Sequence, residues 1–131
     1  MKGGLHPLAG IDAVEVERFR AALRNQPRLE SRLFTEREAA PFRGKRGSVQ
    51  HLAARFAAKE AVGKLLGCGV TAWKEIEVLS DGGAPYVRLH GRAWHRATEL
   101  GIGEVVISLT HTATIAAACA VALAGAAIDE T

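Results

Sequence analysis

Cysteine is scarce in this chain: Cys68 and Cys119 are the only two in 131 residues, far apart and in no C-x-x-C pair. That excludes a disulfide framework and a cysteine-rich zinc site, and it fits a reducing, cytoplasmic setting. Long apolar runs are missing as well. The run from Ile115 to Ile128 falls short of the roughly 20 residues a membrane span needs, and its first half suits a buried strand. Met1 to Pro7 lacks the apolar core of a secretory signal. Aromatic residues are few, without the basic–aromatic interleaving of a nucleic-acid binder. The net charge of +3 and the pI of about 9.2 favour acidic partners but do not demand nucleic acid.

Several catalytic signatures are absent too. No G-x-x-x-x-G-K-[ST] loop occurs, and Gly82-Gly83 precedes a strand pattern rather than a helix. Gly101-Ile102-Gly103 lacks the third glycine of a dinucleotide fingerprint. His6, His51, His90, His95 and His111 form no zincin-type pair. Ser108 and His111 lie in no nucleophile elbow, so a hydrolase triad is not indicated.

A chain of 131 residues with 48% hydrophobic and 24% charged residues is one globular domain, spanning 1–131. Leu8 to Val16 reads as a strand and Val16 to Asn25 as a helix, interrupted by Pro27. Thr35-Glu36-Arg37-Glu38 is a capping box that opens a short helix. A basic loop from Pro41 precedes a long helix from about Ser48 to Leu66, stopped by Gly67-Cys68-Gly69. Trp73–Leu79 and Tyr86–His90 read as a hairpin, Gly91–Leu100 as a helix, and Val105–Thr110 and Ile115–Leu123 as closing strands. The predicted class is α+β, a mainly antiparallel sheet packed on the long helix, in the order β-α-α-α-β-β-α-β-β.

The chemistry concentrates in the long helix. Phe56, Glu60, Gly63 and Lys64 share one face, so a carboxylate and an ammonium flank a position without a side chain. That arrangement suggests a place for a metal ion and phosphates, although Glu60 and Lys64 alone are an ordinary i,i+4 pair. Two further signals stand apart from it. Gly10-Ile11-Asp12 sets a carboxylate near a strand end, and Ser108-Leu109-Thr110-His111-Thr112 ends a strand in hydroxyls and an imidazole.

Together these segments resemble the holo-acyl-carrier-protein synthase family, the short type of 4′-phosphopantetheinyl transferase. The resemblance runs over nearly the whole chain, through Arg32-Leu33-Phe34-Thr35-Glu36-Arg37-Glu38, Ala54 to Ala61, Glu75-Ile76-Glu77-Val78 and Gly83-Ala84-Pro85. It implies that fold and a Mg²⁺-dependent transfer of phosphopantetheine from coenzyme A to a serine of apo-acyl carrier protein. Adenosine 3′,5′-bisphosphate is the product left behind. Asp12 and Glu60 match the family's metal carboxylates. Lys64 and His111 match groups facing the coenzyme's phosphates, and Glu60, directly or through a bound water, is the candidate base. Arg55 and Lys59 are implied near the ribose phosphate, with support of the helix as the other role for Lys59. Gly63, Pro85, Thr110 and Thr112 complete the implied coenzyme site.

Arg18 matches the family's contact with the acidic carrier, and Arg20, Arg24 and Arg28 join it on charge. Trp73 and Trp94 are expected in the core. Gly63, Cys68 and Thr114-Ile115 depart from the family's usual residues. The resemblance further implies a homotrimer with active sites between subunits, Asp12 and His111 coming from one protomer and Glu60 and Lys64 from its neighbour. A non-catalytic basic module that holds acidic proteins or nucleotides is the alternative.

Overall fold

The first strand, β1 (Ala9–Glu15), runs directly into α1 (Val16–Asn25), and a short helix, α2 (Leu29–Leu33), follows. The computed structural model describes residues 8–70 and 72–125, so Met1 to Pro7 and the end of the Ile115–Ile128 run lie outside the described residues. Thr35 opens α3 (Glu36–Ala39) with both halves of the capping box: its hydroxyl accepts from the Glu38 amide at 3.2 Å, and its own amide donates to Glu38 Oε1 at 2.8 Å. A 3₁₀ turn at Ala40–Phe42 leads to α4 (Ser48–Leu66), which Gly67 ends in the left-handed region at φ 79. Beyond a second 3₁₀ turn, Trp73–Glu75, come β2 (Ile76–Leu79), β3 (Tyr86–Leu89), α5 (Gly91–Glu99), β4 (Ile102–His111) and β5 (Ile115–Ala124).

The α+β architecture and its antiparallel pairing are as expected, with the strands split into a three-stranded sheet, β1-β5-β4, and a two-stranded one, β2-β3. Two local expectations are corrected. The five residues of α2 carry only Leu29 and Leu33 as an i,i+4 pair, too short a pattern to stand out. Trp73 to Glu75 form a 3₁₀ turn rather than the start of a strand, because the carbonyls of Trp73 and Ile76 both turn inward to one buried ammonium, that of Lys59.

α4 lies across the sheet, and small residues let it come close. Ala57, Ala58 and Ala61 are fully buried against the helix-facing alanines of β5, Ala116, Ala118 and Ala120. The closest approach is at Gly10 of β1, where an added Cβ would stand 2.0 Å from the Ala61 carbonyl oxygen. Because the obstacle is backbone, it cannot rotate away. Gly10→Ala is therefore expected to cost about 3 kcal/mol, the upper end for overpacking, as a lowered urea midpoint. An unchanged midpoint would show that β1 has room to shift.

The other face of this sheet is apolar and open. Ile11 is 71% exposed, and Val106, Ile115, Val121 and Leu123 lie between 40% and 49%. Antiparallel sheets that meet water on one face normally alternate to polar side chains there, whereas here Ser108 and Thr110 share the face with these large exposed apolar residues.

Candidate active site

The contact of β1 with α4 brings Asp12 to Glu60 and Lys64. The Lys64 ammonium donates to Asp12 Oδ1 and to the Ile11 carbonyl, both at 3.0 Å. The Asp12 side chain is 18% exposed and that of Lys64 is 55% exposed. Burial raises the Glu60 carboxyl above the usual carboxylate range, and the Asp12 charge adds to that rise while Lys64 opposes it. Both carboxylates open on a pocket of about 250 Å³ that Ala13, Val14, Glu15, Arg18 and Phe56 complete.

All of this lies within one protomer. The expected division of Asp12 from Glu60 and Lys64 between subunits is thereby corrected: β1 and α4 of the same chain are in direct backbone contact. Among the described residues no group of three or more acidic, histidine or cysteine side chains is arranged so that it could hold a metal ion. Two carboxylates drawn together supply hard oxygen ligands and leave positions for phosphate and water, the donor set that suits Mg²⁺.

A second group stands on another face of α4. The His111 ring, at the end of β4, lies edge-on to His51 at 5.1 Å between centroids, and His51 stacks on Phe42 at 4.8 Å. The Arg55 guanidinium sits 4.3 Å from the Phe42 centroid and donates to the His51 carbonyl at 3.4 Å and to Ser80 Oγ at 3.3 Å. Burial lowers the His51 pKa, and the neighbouring charges of His111 and Arg55 lower it further. Arg55 and His111 thus both contact His51, and Ser80 begins the loop that ends at Pro85. His51 was legible as the residue one turn before Arg55.

Four residues implied at the coenzyme site have other partners or neighbours within this protomer. The Lys59 side chain is fully buried, 2.8 Å from Glu38 Oε2, with its ammonium donating to the carbonyls of Trp73 and Ile76 at 2.9 and 2.6 Å. It takes the helix-supporting role, and no face of it is open to a ligand. The space beside Gly63 is filled, since an added Cβ would meet Gly69 C and Val70 Cγ2 at 2.9 Å. The Thr112 hydroxyl is occupied in the β4–β5 turn, accepting from the amides of Thr114 and Ile115 at 3.2 and 3.0 Å. Thr110, one residue before His111, points to the opposite sheet face and lines a shallow hollow with Ile11, Ala117 and Cys119.

The arginines divide as well. Arg18, its side chain 83% exposed, borders the carboxylate pocket. Arg20 pairs with Glu17 at 3.0 Å and, with Arg24, falls on the other side of α1 at about 3.6 residues per turn. Beside the pocket runs an apolar cleft of about 370 Å³, lined by Phe19, Ala22, Leu29, Leu33 and Trp73, with Arg18 and Arg32 on its walls. Val14, Arg18 and Phe56 border both hollows. Trp73 and Trp94 are both half-buried and pack against the core as expected, Trp73 also lining the cleft.

The family model of the 4′-phosphopantetheinyl transferase superfamily matches residues 9–119. A holo-[acyl-carrier-protein] synthase of Streptomyces avermitilis is 48% identical over 115 residues, covering 86% of this chain and 94% of that protein. The crystal structure of the Neisseria meningitidis holo-[acyl-carrier-protein] synthase superposes with a TM-score of 0.79 at 28% identity, over 91% of this chain and 99% of the other. The Bacillus anthracis holo-(acyl-carrier-protein) synthase, solved in complex with CoA (3′,5′-ADP), gives 0.74 at 28% identity, over 91% and 97%.

Proposed function

This chain belongs to the 4′-phosphopantetheinyl transferase superfamily, and on that premise we propose that it converts apo-acyl carrier protein to its holo form with coenzyme A as donor. The observation that carries the reading is the Asp12–Glu60 carboxylate pair, held by Lys64 beside an apolar cleft with arginines on its walls. The carrier's serine oxygen bonds to the phosphorus that bears pantetheine. The bond from that phosphorus to the bridging oxygen breaks, and adenosine 3′,5′-bisphosphate leaves with the electron pair.

Asp12 and Glu60 would hold Mg²⁺, which supplies charge neutralisation on the pyrophosphate as negative charge moves to the leaving oxygen. Lys64, tied to Asp12, adds fixed positive charge at the same place. Glu60 takes the serine proton, directly or through a bound water. Arg18 meets the acidic carrier, and the apolar cleft next to it receives an apolar side chain of that carrier. Arg18→Glu should raise the KM for carrier about tenfold and leave that for coenzyme A unchanged.

Arg55 and His111 form the phosphate-facing half of the site on a different face of α4. The proposed homotrimer joins that half to the Asp12–Glu60 half of a neighbour across the open apolar sheet face. Mixing Glu60→Ala with His111→Ala protein under conditions of subunit exchange should then restore part of the activity. Absence of any recovery, or an active monomer in sedimentation, would remove the shared site. The reaction itself is tested by intact mass of apo-carrier incubated with this protein, coenzyme A and Mg²⁺. A gain of one phosphopantetheine arm that EDTA prevents supports it. No gain across several carriers, with binding retained, would leave a non-catalytic module.

A further inference from the structure

His111 is poorly held by its own strand. It is the last residue of β4, exposed, and directly across from it on β5 stands Ala116, whose methyl group offers an imidazole nothing to lean on. What touches the ring comes from elsewhere. His51, in the first turn of α4, meets it edge-on at 5.1 Å with an interplanar angle of 77°.

His51 is itself fixed at both ends. Its amide donates to the Gly47 carbonyl at 3.1 Å, and its ring lies within 12° of parallel to Phe42. Phe42 in turn is covered by Arg55, which reaches back to the His51 carbonyl. A closed set of contacts therefore runs from Arg55 through Phe42 to His51, and His111 rests against its end.

We propose that His51 is a positioning residue of the transferase, holding the His111 imidazole toward the coenzyme's phosphates through ring contact rather than touching the coenzyme itself. The assignment of His111 to those phosphates rests on the reading above; the contact between the two rings does not. Orientation is what the second ring supplies, because an exposed strand-end histidine with a methyl neighbour otherwise exchanges between rotamers.

The test uses the full chain with labelled histidine, the His111 resonance being assigned by its loss in His111→Gln. His51→Ala should move the His111 ring resonance, and His51→Phe, which keeps a ring on Phe42, should bring it back toward wild type. An unmoved His111 signal in His51→Ala would overturn the proposal, whether or not transfer is observed. In the transfer assay, His51→Ala should raise the KM for coenzyme A about threefold to tenfold with kcat little changed, the size of one aromatic contact. His51→Phe should restore it, and in a His111→Ala background His51→Ala should add less than about twofold. Equal effects in both backgrounds would mean that His51 acts on the fold or on the coenzyme directly. Failure of transfer in the wild-type chain would instead count against the functional reading, with the resonance shift still deciding this one.

Discussion

Asp12→Ala and Glu60→Ala should each lower phosphopantetheine transfer by about a hundredfold to a thousandfold while the protein stays folded. Each removes one of the two carboxylates drawn together by the β1–α4 contact, and Asp12→Ala also frees the Lys64 ammonium. Steady-state rates with saturating Mg²⁺ and a melting curve on the same preparation decide it. Full activity in both variants would mean that the carboxylate pair is not the metal site.

Stability should move the other way for Glu60. Its carboxyl is held above the ordinary 4.5, first by burial and then by Asp12, so the folded state resists an ionisation that the unfolded chain makes freely. The resulting penalty is absent well below pH 4.5, grows as pH rises through that value, and is complete above the folded pKa. Glu60→Gln in EDTA should therefore melt higher than wild type near neutral pH and no higher in acid. A uniform rise at every pH would point to packing rather than charge.

The largest effect on stability is expected at the buried Lys59–Glu38 pair. Lys59→Met or Glu38→Gln alone should cost about 3–5 kcal/mol, because each leaves an uncompensated buried partner. Burial pushes the Lys59 pKa down even though Glu38 pulls it up, so in isolation the ammonium is a burden. Buried ion pairs of that kind can often be exchanged for apolar residues without loss. This one should resist the exchange. Glu38 also accepts the Val78 amide at 2.8 Å and the Thr35 amide, while Lys59 serves two carbonyls. A Lys59→Met/Glu38→Leu double variant strands those backbone groups at about 1–3 kcal/mol each. Urea denaturation of the double variant matching wild type would show that water replaces the pair.

The long helix with its stop at Gly67 and the short helix opened by the capping box were legible in advance, because these signals act through neighbours in sequence. Asp12, Glu60 and Lys64 were also legible as a set, and the structure brings them together. What escaped was decided by contacts at long range. The choice between the two roles left open for Lys59 depends on Glu38 and on two carbonyls more than ten residues away, none of which its own helix pattern reveals. Gly63 looked like a gap from within α4, but Gly69 and Val70 fold back over it. Thr110 and His111 looked like one motif, yet strand alternation sends neighbours to opposite faces. The assignment of Asp12 and Glu60 to separate subunits failed for the same reason. Nothing local says that a glycine two residues before Asp12 lets β1 touch α4.

That glycine has a consequence for tolerance to mutation. The separation of the two carboxylates is set where the chain at Gly10 meets the carbonyl of Ala61, main chain against main chain. Such a contact has no rotamers to exchange and no side-chain volume to drift. Substitutions elsewhere in the alanine-lined layer can alter how tightly helix and sheet pack over their length, but the calibration of the reactive pair is pinned at a point that side chains do not enter.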